Sequence, residues 1–280
     1  MRKKTRRVIV FTDLDGTLLN HHDYAYEDAK PALARIRTAQ IPLIICTSKT
    51  RREVESLRKE LDNHDPFIVE NGGGIFFPGD YHGFTIPESM GVSGYKSIML
   101  GVPYAKIRHF IEAVRPEISV NGFGDWGVEE IMERTGLGLE AAAMAKEREF
   151  TEPFLIEDPK RLEDLAGAAR NEGIQITRGG RFLHFIGIAS DKAAAVDIVK
   201  ATFAANWKAP LLTIGLGDSL NDFSMLGRVD IPVLIPHDDG SYESIDLPGL
   251  IRAPFPGSRG WNTALTNILD TIETRDCQRG

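Results

Sequence analysis

Apolar runs alternate with amphipathic stretches along the chain, and the rhythm changes twice. Val8–Phe11 is an uninterrupted apolar run, the mark of a strand buried on both faces. Residues 27 to 39 carry Leu33, Ile36 and Ala39 at helical spacing, and 41 to 46 form a second apolar run. Residues 51 to 61 put Val54, Leu57 and Leu61 on one helical face. Residues 67 to 70 read as a third strand, after which Asn71-Gly72-Gly73-Gly74 turns the chain into the apolar segment 75–77. This order predicts a parallel sheet with helices on both faces.

From about Ser93 the pattern becomes α+β: a strand at 95–100, helices at 104–114, 128–136 and 139–149, a strand at 153–158, a helix at 162–173 and a hairpin over 174–187 around Gly179-Gly180. The βα rhythm then returns, with a helix at 191–205, a strand at 211–218, a helix at 221–229, a strand at 232–236 and a final helix at 261–273. The expected fold class is α/β. A Rossmann-like core with a parallel sheet comes from residues 1–88 and 188–280, and an α+β domain is inserted at 89–187. Sheets of this kind bind ligands at the carboxyl ends of their strands.

Composition narrows the function without changing the fold. Apolar residues make up 42% and charged residues 26%, an ordinary globular balance. A net charge of -7 argues against nucleic acid as a partner. Cys46 and Cys277 do not make a disulfide framework. The basic start is followed by too short an apolar segment for a secretory signal, which needs roughly 7–15 residues, and no run approaches the roughly 20 apolar residues of a membrane span. The expectation is a cytoplasmic protein acting on a small molecule, with no nucleic-acid or membrane partner.

Chemistry concentrates where the outer strands end. Asp13 and Asp15 follow the first strand, Thr47 and Ser48 the second, and Asp218, Asn221 and Asp222 the strand at 211–218. Parallel strands bring their ends to one edge, so these residues are expected to converge. Several carboxylates at one edge repel each other unless a cation sits among them. Oxygen-only ligands suit a hard ion, and Mg2+ is the expected cofactor. Asp218 and Asp222, four apart, share a helical face if a helix begins near Ser219. Lys192 opens the helix at 191–205, where a cation opposes the helix dipole by roughly 0.3–1 kcal/mol. A lysine there would hold a carboxylate ionised and contact a phosphate. The plainer alternative has Asp191 capping the helix and Lys192 pointing to solvent. Thr47 and Ser48 both qualify as helix caps, leaving the other hydroxyl for phosphate.

With Asp13-Leu14-Asp15-Gly16-Thr17, the hydroxyl after the second strand, the helix-opening lysine and Gly217-Asp218-Ser219-Leu220-Asn221-Asp222 in this order, the chain resembles the haloacid dehalogenase (HAD) phosphatase superfamily. The insertion resembles its C2B cap class, shared with Cof-type sugar-phosphate phosphatases. Within it, residues 47–50, 70–74, 179–185, 189–192 and 215–222, with 145–156 and 254–262, resemble the mannosyl-3-phosphoglycerate phosphatase family.

The resemblance implies Asp13 as nucleophile forming an aspartyl-phosphate, and Asp15 as general acid and then base. It implies a Mg2+ ion held by the Asp13 carboxylate, the Asp15 carbonyl and Asp218, with Asp222 supporting them. Thr47 and Lys192 would bind the phosphoryl group. The glycosyl-glycerate part would fall to Glu70, Asn71 and Gly72, with Arg181, His184, Arg148, Glu149 and Glu152. Arg181 and His184 point to opposite faces of a regular strand, so both meet a substrate only if Arg181 belongs to the turn. His184 as a satisfied core histidine, Arg148 and Glu149 as helix-surface charges, and Glu70 and Asn71 as turn residues are the plainer alternatives. The implied reaction is hydrolysis of mannosyl-3-phosphoglycerate. Glucosyl-3-phosphoglycerate, sucrose-phosphate and Cof-like phosphatases are alternatives, as are a phosphomannomutase and a non-catalytic relative. A dinucleotide-binding enzyme would need GxGxxG after the first strand, and it is absent there.

Overall fold

The computed structural model describes residues 6–179 and 181–277. Residues 1–5 of the basic start, Gly180 of the expected hairpin turn and the Cys277 side chain lie outside the described residues.

In chain order, β1 (Arg7–Thr12) leads through a one-turn 3-10 helix to α1 (Lys30–Thr38) and β2 (Leu43–Cys46). Next come α2 (Arg51–Glu60), β3 (Phe67–Val69), β4 (Gly74–Pro78), β5 (Met90–Val92), β6 (Tyr95–Met99), α3 (Tyr104–Val114) and β7 (Val120–Gly122). Then follow α4 (Val128–Thr135), α5 (Leu139–Lys146), β8 (Thr151–Ile156), α6 (Leu162–Asn171), β9 (Ile174–Gly179) and β10 (Phe182–Gly187). The last stretch is α7 (Lys192–Trp207), β11 (Leu211–Gly217), α8 (Phe223–Leu226), β12 (Ile231–Leu234), β13 (Ile251–Arg252) and α9 (Gly257–Cys277). Among the described residues no helix is long and apolar enough to cross a membrane.

The chain packs as two compact units, one from Met1–Cys46, His82–Pro87 and Val196–Gly280, the other from Thr47–Tyr81 and Glu88–Ala195. In the first, five strands run parallel in the order β13-β12-β11-β1-β2. β1 is an inner strand, flanked by β11 and β2, and its last four residues are buried. Thr12 pairs with Leu216 and Ile45, so the residues just past β1 and β11 emerge side by side.

In the second unit β3, β4, β6 and β5 pair antiparallel. The Gly-rich turn folds β4 straight back along β3, as the turn residues Asn71–Gly74 predict. A second antiparallel sheet, β7-β8-β10-β9, carries α3 and α6. Its core joins Ile107, Phe110 and Ile111 to Phe154, Phe185, Leu165 and Ile174. Phe154 and Phe185 stack with centroids 4.0 Å apart. α4 and α5 close over Phe123 and Trp126 in a smaller cluster.

Several bounds move. β5, β7 and β13 have no expected counterpart, because two- or three-residue strands carry no period to read. β8 starts at Thr151, two residues early, because Thr151 and Glu152 are buried in spite of their polarity. The helix expected at 139–149 stops at Lys146. The helix expected at 221–229 shrinks to a 3-10 turn, Leu220–Asp222, and a single α turn.

Candidate active site

The first unit builds an acidic pocket from the ends of β1 and β11. Asp13, 5% exposed, donates its N–H to the Leu216 carbonyl at 2.9 Å, which ties the two strand ends together. From behind, Trp261 Nε1 donates to Thr12 Oγ1 at 3.0 Å, and that hydroxyl donates to the Asp13 carbonyl at 2.7 Å. The next turn requires Gly16. Its φ is +76°, and a Cβ there would stand 2.5 Å from Asp218 Oδ2. Thr17 then donates its hydroxyl to Asp218 Oδ1 at 2.9 Å. The Asp13-to-Thr17 loop therefore wraps directly onto the Asp218 carboxylate.

Asp222 reaches the site at a helical start capped by Ser219, as expected, but the start is a 3-10 turn. The 3-10 turn curls Asp222 back so that its Oδ2 accepts the N–H groups of Asp218 (3.1 Å) and Ser219 (3.2 Å). One oxygen each of buried Asp13, Asp218 and Asp222 lie within 4.8 Å of one another. Three carboxylates this close are tolerated where a cation neutralises them, and an all-oxygen donor set fits a hard divalent ion. The half-buried Asp15 carboxylate is outside this trio.

The second unit holds the other expected residues: Thr47 and Ser48 directly after Cys46, Glu70 to Gly72 after β3, and Lys192 at the start of α7. Neither Thr47 nor Ser48 caps α2. Thr50 does, accepting from the Glu53 N–H at 3.2 Å while Glu53 returns to the Thr50 N–H at 2.8 Å. The pattern Thr50-x-x-Glu53 in the sequence could have shown this capping box. Thr47 is 1% exposed and accepts from the Lys49 N–H at 3.3 Å, and its carbonyl accepts the Asn71 N–H at 3.0 Å. Lys192 is 2% exposed, so it does not point to solvent, and Asp191 caps α7 through Ala193 N–H at 3.0 Å. Gly72, at φ +90°, lies against this helix start, where a Cβ would stand 2.4 Å from the Asp191 carbonyl oxygen. Asn71 Oδ1 and Ser190 Oγ are buried with no hydrogen-bond partner among the described residues.

The remaining nominees are held by neighbours in the same unit. Glu70 is fully buried with left-handed backbone (φ +48°). Its carboxylate accepts from Glu149 N–H (2.9 Å), Phe150 N–H (3.1 Å) and the Thr151 hydroxyl (2.6 Å). Burial raises its pKa, opposed first by the Arg148 charge. Arg148 donates to the carbonyls of Ser48 (3.0 Å) and Ala145 (2.9 Å). Glu149 takes a bidentate grip from Arg51. Glu152 is buried, which raises its pKa, and accepts from Gly124 N–H, Tyr104 and Arg108 at 2.8–2.9 Å.

Arg181 and His184 part company. Arg181 lies in the turn after β9, as its pairing with a substrate would need, but its guanidinium donates to the Arg134 and Thr135 carbonyls at the end of α4. His184 lies half-buried on β10, its pKa pushed down to about 4 by desolvation and then by the Arg148 charge. The arginine and tyrosine partners Arg51, Arg108 and Tyr104 were not singled out from sequence, because surface-type residues on amphipathic helices give no sign of a buried acceptor across the fold.

Comparison with known proteins places this geometry. Residues 10–91 match the haloacid dehalogenase-like hydrolase family. A glucosyl-3-phosphoglycerate/mannosyl-3-phosphoglycerate phosphatase from Persephonella marina is 53% identical over 96% of this chain and 100% of its own length. One of the same name from Methanococcoides burtonii is 41% identical over 93% and 97%. A phosphatase of the HAD superfamily from Bacteroides thetaiotaomicron, 16% identical, shares the fold at a TM-score of 0.63 over 98% and 97% of the two chains. The chain belongs to the haloacid dehalogenase-like hydrolases and is a phosphoric monoester hydrolase.

Proposed function

We propose that the protein is a Mg2+-dependent phosphatase that releases phosphate from mannosyl-3-phosphoglycerate and from its glucosyl analogue. The carrying observation is the buried trio Asp13, Asp218 and Asp222 at the ends of two paired parallel strands, in a chain 53% identical to a phosphatase named for both substrates.

In this reading an Asp13 carboxylate oxygen attacks phosphorus and the ester P–O bond breaks. Asp15 gives its proton to the leaving glycerate oxygen. Asp15, now a carboxylate, takes a proton from water, whose oxygen attacks the aspartyl-phosphate and frees inorganic phosphate. The ion would be held by the carboxylates of Asp13 and Asp218 and the carbonyl of Asp15, with Asp222 fixing the Asp218 turn. When bound, it neutralises charge on the phosphoryl oxygens. Buried Asp218 is oriented for this by Thr17 and by the Asp222-held backbone.

Thr47 rather than Ser48 is the hydroxyl assigned to the phosphoryl group, with Lys192. Because a peptide is planar, turning the Thr47 carbonyl to Asn71 turns the Ser48 N–H the opposite way. The Thr47 hydroxyl accepts from Lys49, which leaves its proton to donate. The glycosyl-glycerate part is assigned to Asn71, Gly72 and His184, with Arg181. Residues 89–187 form the specificity domain and 1–88 with 188–280 the catalytic core.

Phosphate release from both glycosyl-3-phosphoglycerates, with Mg2+ and with chelator, tests the proposal. Release from both that disappears on chelation is expected. Inertness toward both, beside rapid hydrolysis of a simple sugar phosphate, would refute the substrate assignment.

A further inference from the structure

Three carbonyls in a row, those of Thr47, Ser48 and Lys49, are gripped from two directions within the second unit. Asn71 N–H holds Thr47 and Glu70 N–H holds Lys49, each at 3.0 Å, while Arg148 Nη1 holds Ser48 at 3.0 Å. The two grips are joined. Arg148 also reaches Thr151 Oγ1 at 3.4 Å, that hydroxyl donates to Glu70 Oε2 at 2.6 Å, and Glu70 takes the N–H groups of Glu149 and Phe150. A closed ring therefore runs from the Ser48 carbonyl through Arg148, Thr151 and Glu70 back to the Lys49 carbonyl. Further bolts lie on the same seam. Thr50 Oγ1 donates to the Met144 carbonyl at 2.9 Å, and Arg51 clasps Glu149.

The backbone shows that this arrangement is held at a cost. Glu70 and Asn71 are consecutive non-glycine residues in the left-handed region, φ +48° and +57°. Such strain persists only where the surroundings over-determine it. Here it points two successive N–H groups at the 47–49 loop while the Glu70 side chain runs the other way, to residues 149–151. Every carboxylate oxygen of Glu70 is taken by these donors, and two of the three polar contacts of Arg148 go to backbone carbonyls. Neither residue is arranged as a substrate ligand.

We infer that Glu70, Arg148 and Thr151 are positioning residues for the phosphoryl-binding loop, acting through the Ser48 carbonyl to fix the Thr47 hydroxyl and the Ser48 N–H. The inference rests on the role proposed for Thr47. It carries a second consequence: the loop is set by a segment of the inserted part of the chain, residues 144–151, so a displacement of that segment reaches the phosphoryl-binding groups by way of the ring. A loop displaced by about an ångström loses on the order of a hundredfold in rate.

The test compares Arg148→Met, Arg148→Lys and Thr151→Val in the full-length protein on two substrates, a glycosyl-3-phosphoglycerate and p-nitrophenyl phosphate, which has no sugar or glycerate. Inhibition by inorganic phosphate is measured alongside. Positioning through the phosphoryl loop predicts a fall in kcat of about 10–100-fold for Arg148→Met. The fall should be equal on both substrates and accompanied by weaker phosphate inhibition, with Arg148→Lys and Thr151→Val intermediate. Loss confined to the glycosyl substrate as a raised KM, with p-nitrophenyl phosphate turnover within twofold of the parent, would make Arg148 a substrate contact and overturn the inference. If Arg148→Met does not fold, the two milder variants decide by the same comparison. Thr47→Ala is the control for the underlying reading: undiminished p-nitrophenyl phosphate turnover in that variant removes the phosphoryl role of Thr47, whatever Arg148 does.

Discussion

Replacing Gly72 by alanine separates two effects that most glycine substitutions confound. At φ +90° an L-residue pays about 1–2 kcal/mol for the left-handed backbone. The new Cβ would also stand 2.4 Å from the Asp191 carbonyl oxygen and 2.9 Å from the Lys192 nitrogen. Ordinary contact begins near 3.4 Å, so one side must yield by about 1 Å. Both partners are backbone, and the Asp191 carbonyl also begins the α7 ladder by accepting Ala195 N–H at 3.1 Å. The displacement therefore falls on the first turn of α7, which carries Lys192. At about a hundredfold per ångström for a misplaced phosphoryl-binding group, kcat should drop by one to two orders of magnitude. Gly94→Ala is the matched control: φ is +84° and nothing lies within 4 Å, so it carries the backbone cost alone. Thermal unfolding and steady-state kinetics on both variants make the measurement. The expectation is a loss of stability in both, larger in Gly72→Ala by the cost of the clash, and a loss of turnover only in Gly72→Ala. Turnover of Gly72→Ala within twofold of the parent would refute the link between this glycine and Lys192.

Asp13→Asn is expected to abolish phosphate release while leaving the circular dichroism spectrum and Tm near those of the parent, and substantial turnover in that variant would rule Asp13 out as nucleophile. Asp222→Ala strips the acceptor from two buried N–H groups and from the pocket. It should weaken Mg2+ by about 10–100-fold, read from the activity against Mg2+ concentration, whereas Asp222→Asn, which keeps an acceptor, should lose less. His184 binds its proton at about 4 in the folded chain against an ordinary 6.5. The unfolded chain thus takes up more protons as pH falls between those values, so His184 costs the fold nothing above pH 6.5 and destabilises it by up to about 3 kcal/mol toward pH 4. Denaturant titrations at pH 7 and pH 4.5 should show a shallower acid loss in His184→Gln, and an unchanged slope would count against a buried neutral imidazole.

What could be read from sequence was whatever repeats or ends abruptly. Val8–Phe11 stopping at Asp13, and residues 211–217 stopping at Asp218, told of two strands and of carboxylates at one edge, and β1 and β11 pair as that reading requires. Side-chain networks between distant segments were not legible. Thr151 and Glu152 are polar residues at the buried start of β8 because Glu70, Tyr104 and Arg108 receive them, and none of those partners lies within a helical or strand period of its acceptor. Arg181 shows the same limit. Its turn position was foreseen as a condition, but the α4 carbonyls that claim it lie 46 and 47 residues upstream. The Asp218–Asp222 spacing suggested a helix, and Asp222 does close a capping box on Ser219 at a helical start, but that start is a 3-10 turn followed by a single α turn, a shortness the spacing alone does not show.

The support behind Thr12 has a bearing on how the protein is made. β1 is synthesised well before its flanking strand β11 and the helix that supplies Trp261 to Thr12, which follow it by about 200 and 250 residues. At roughly 5–20 residues per second, the ribosome leaves β1 without these neighbours for roughly ten to fifty seconds, while all of the second unit is emerging. Asp13 is therefore framed last. With the other two tryptophans replaced, the emission of Trp261, fully buried against that strand, offers a clock for the moment when the end of β1 closes.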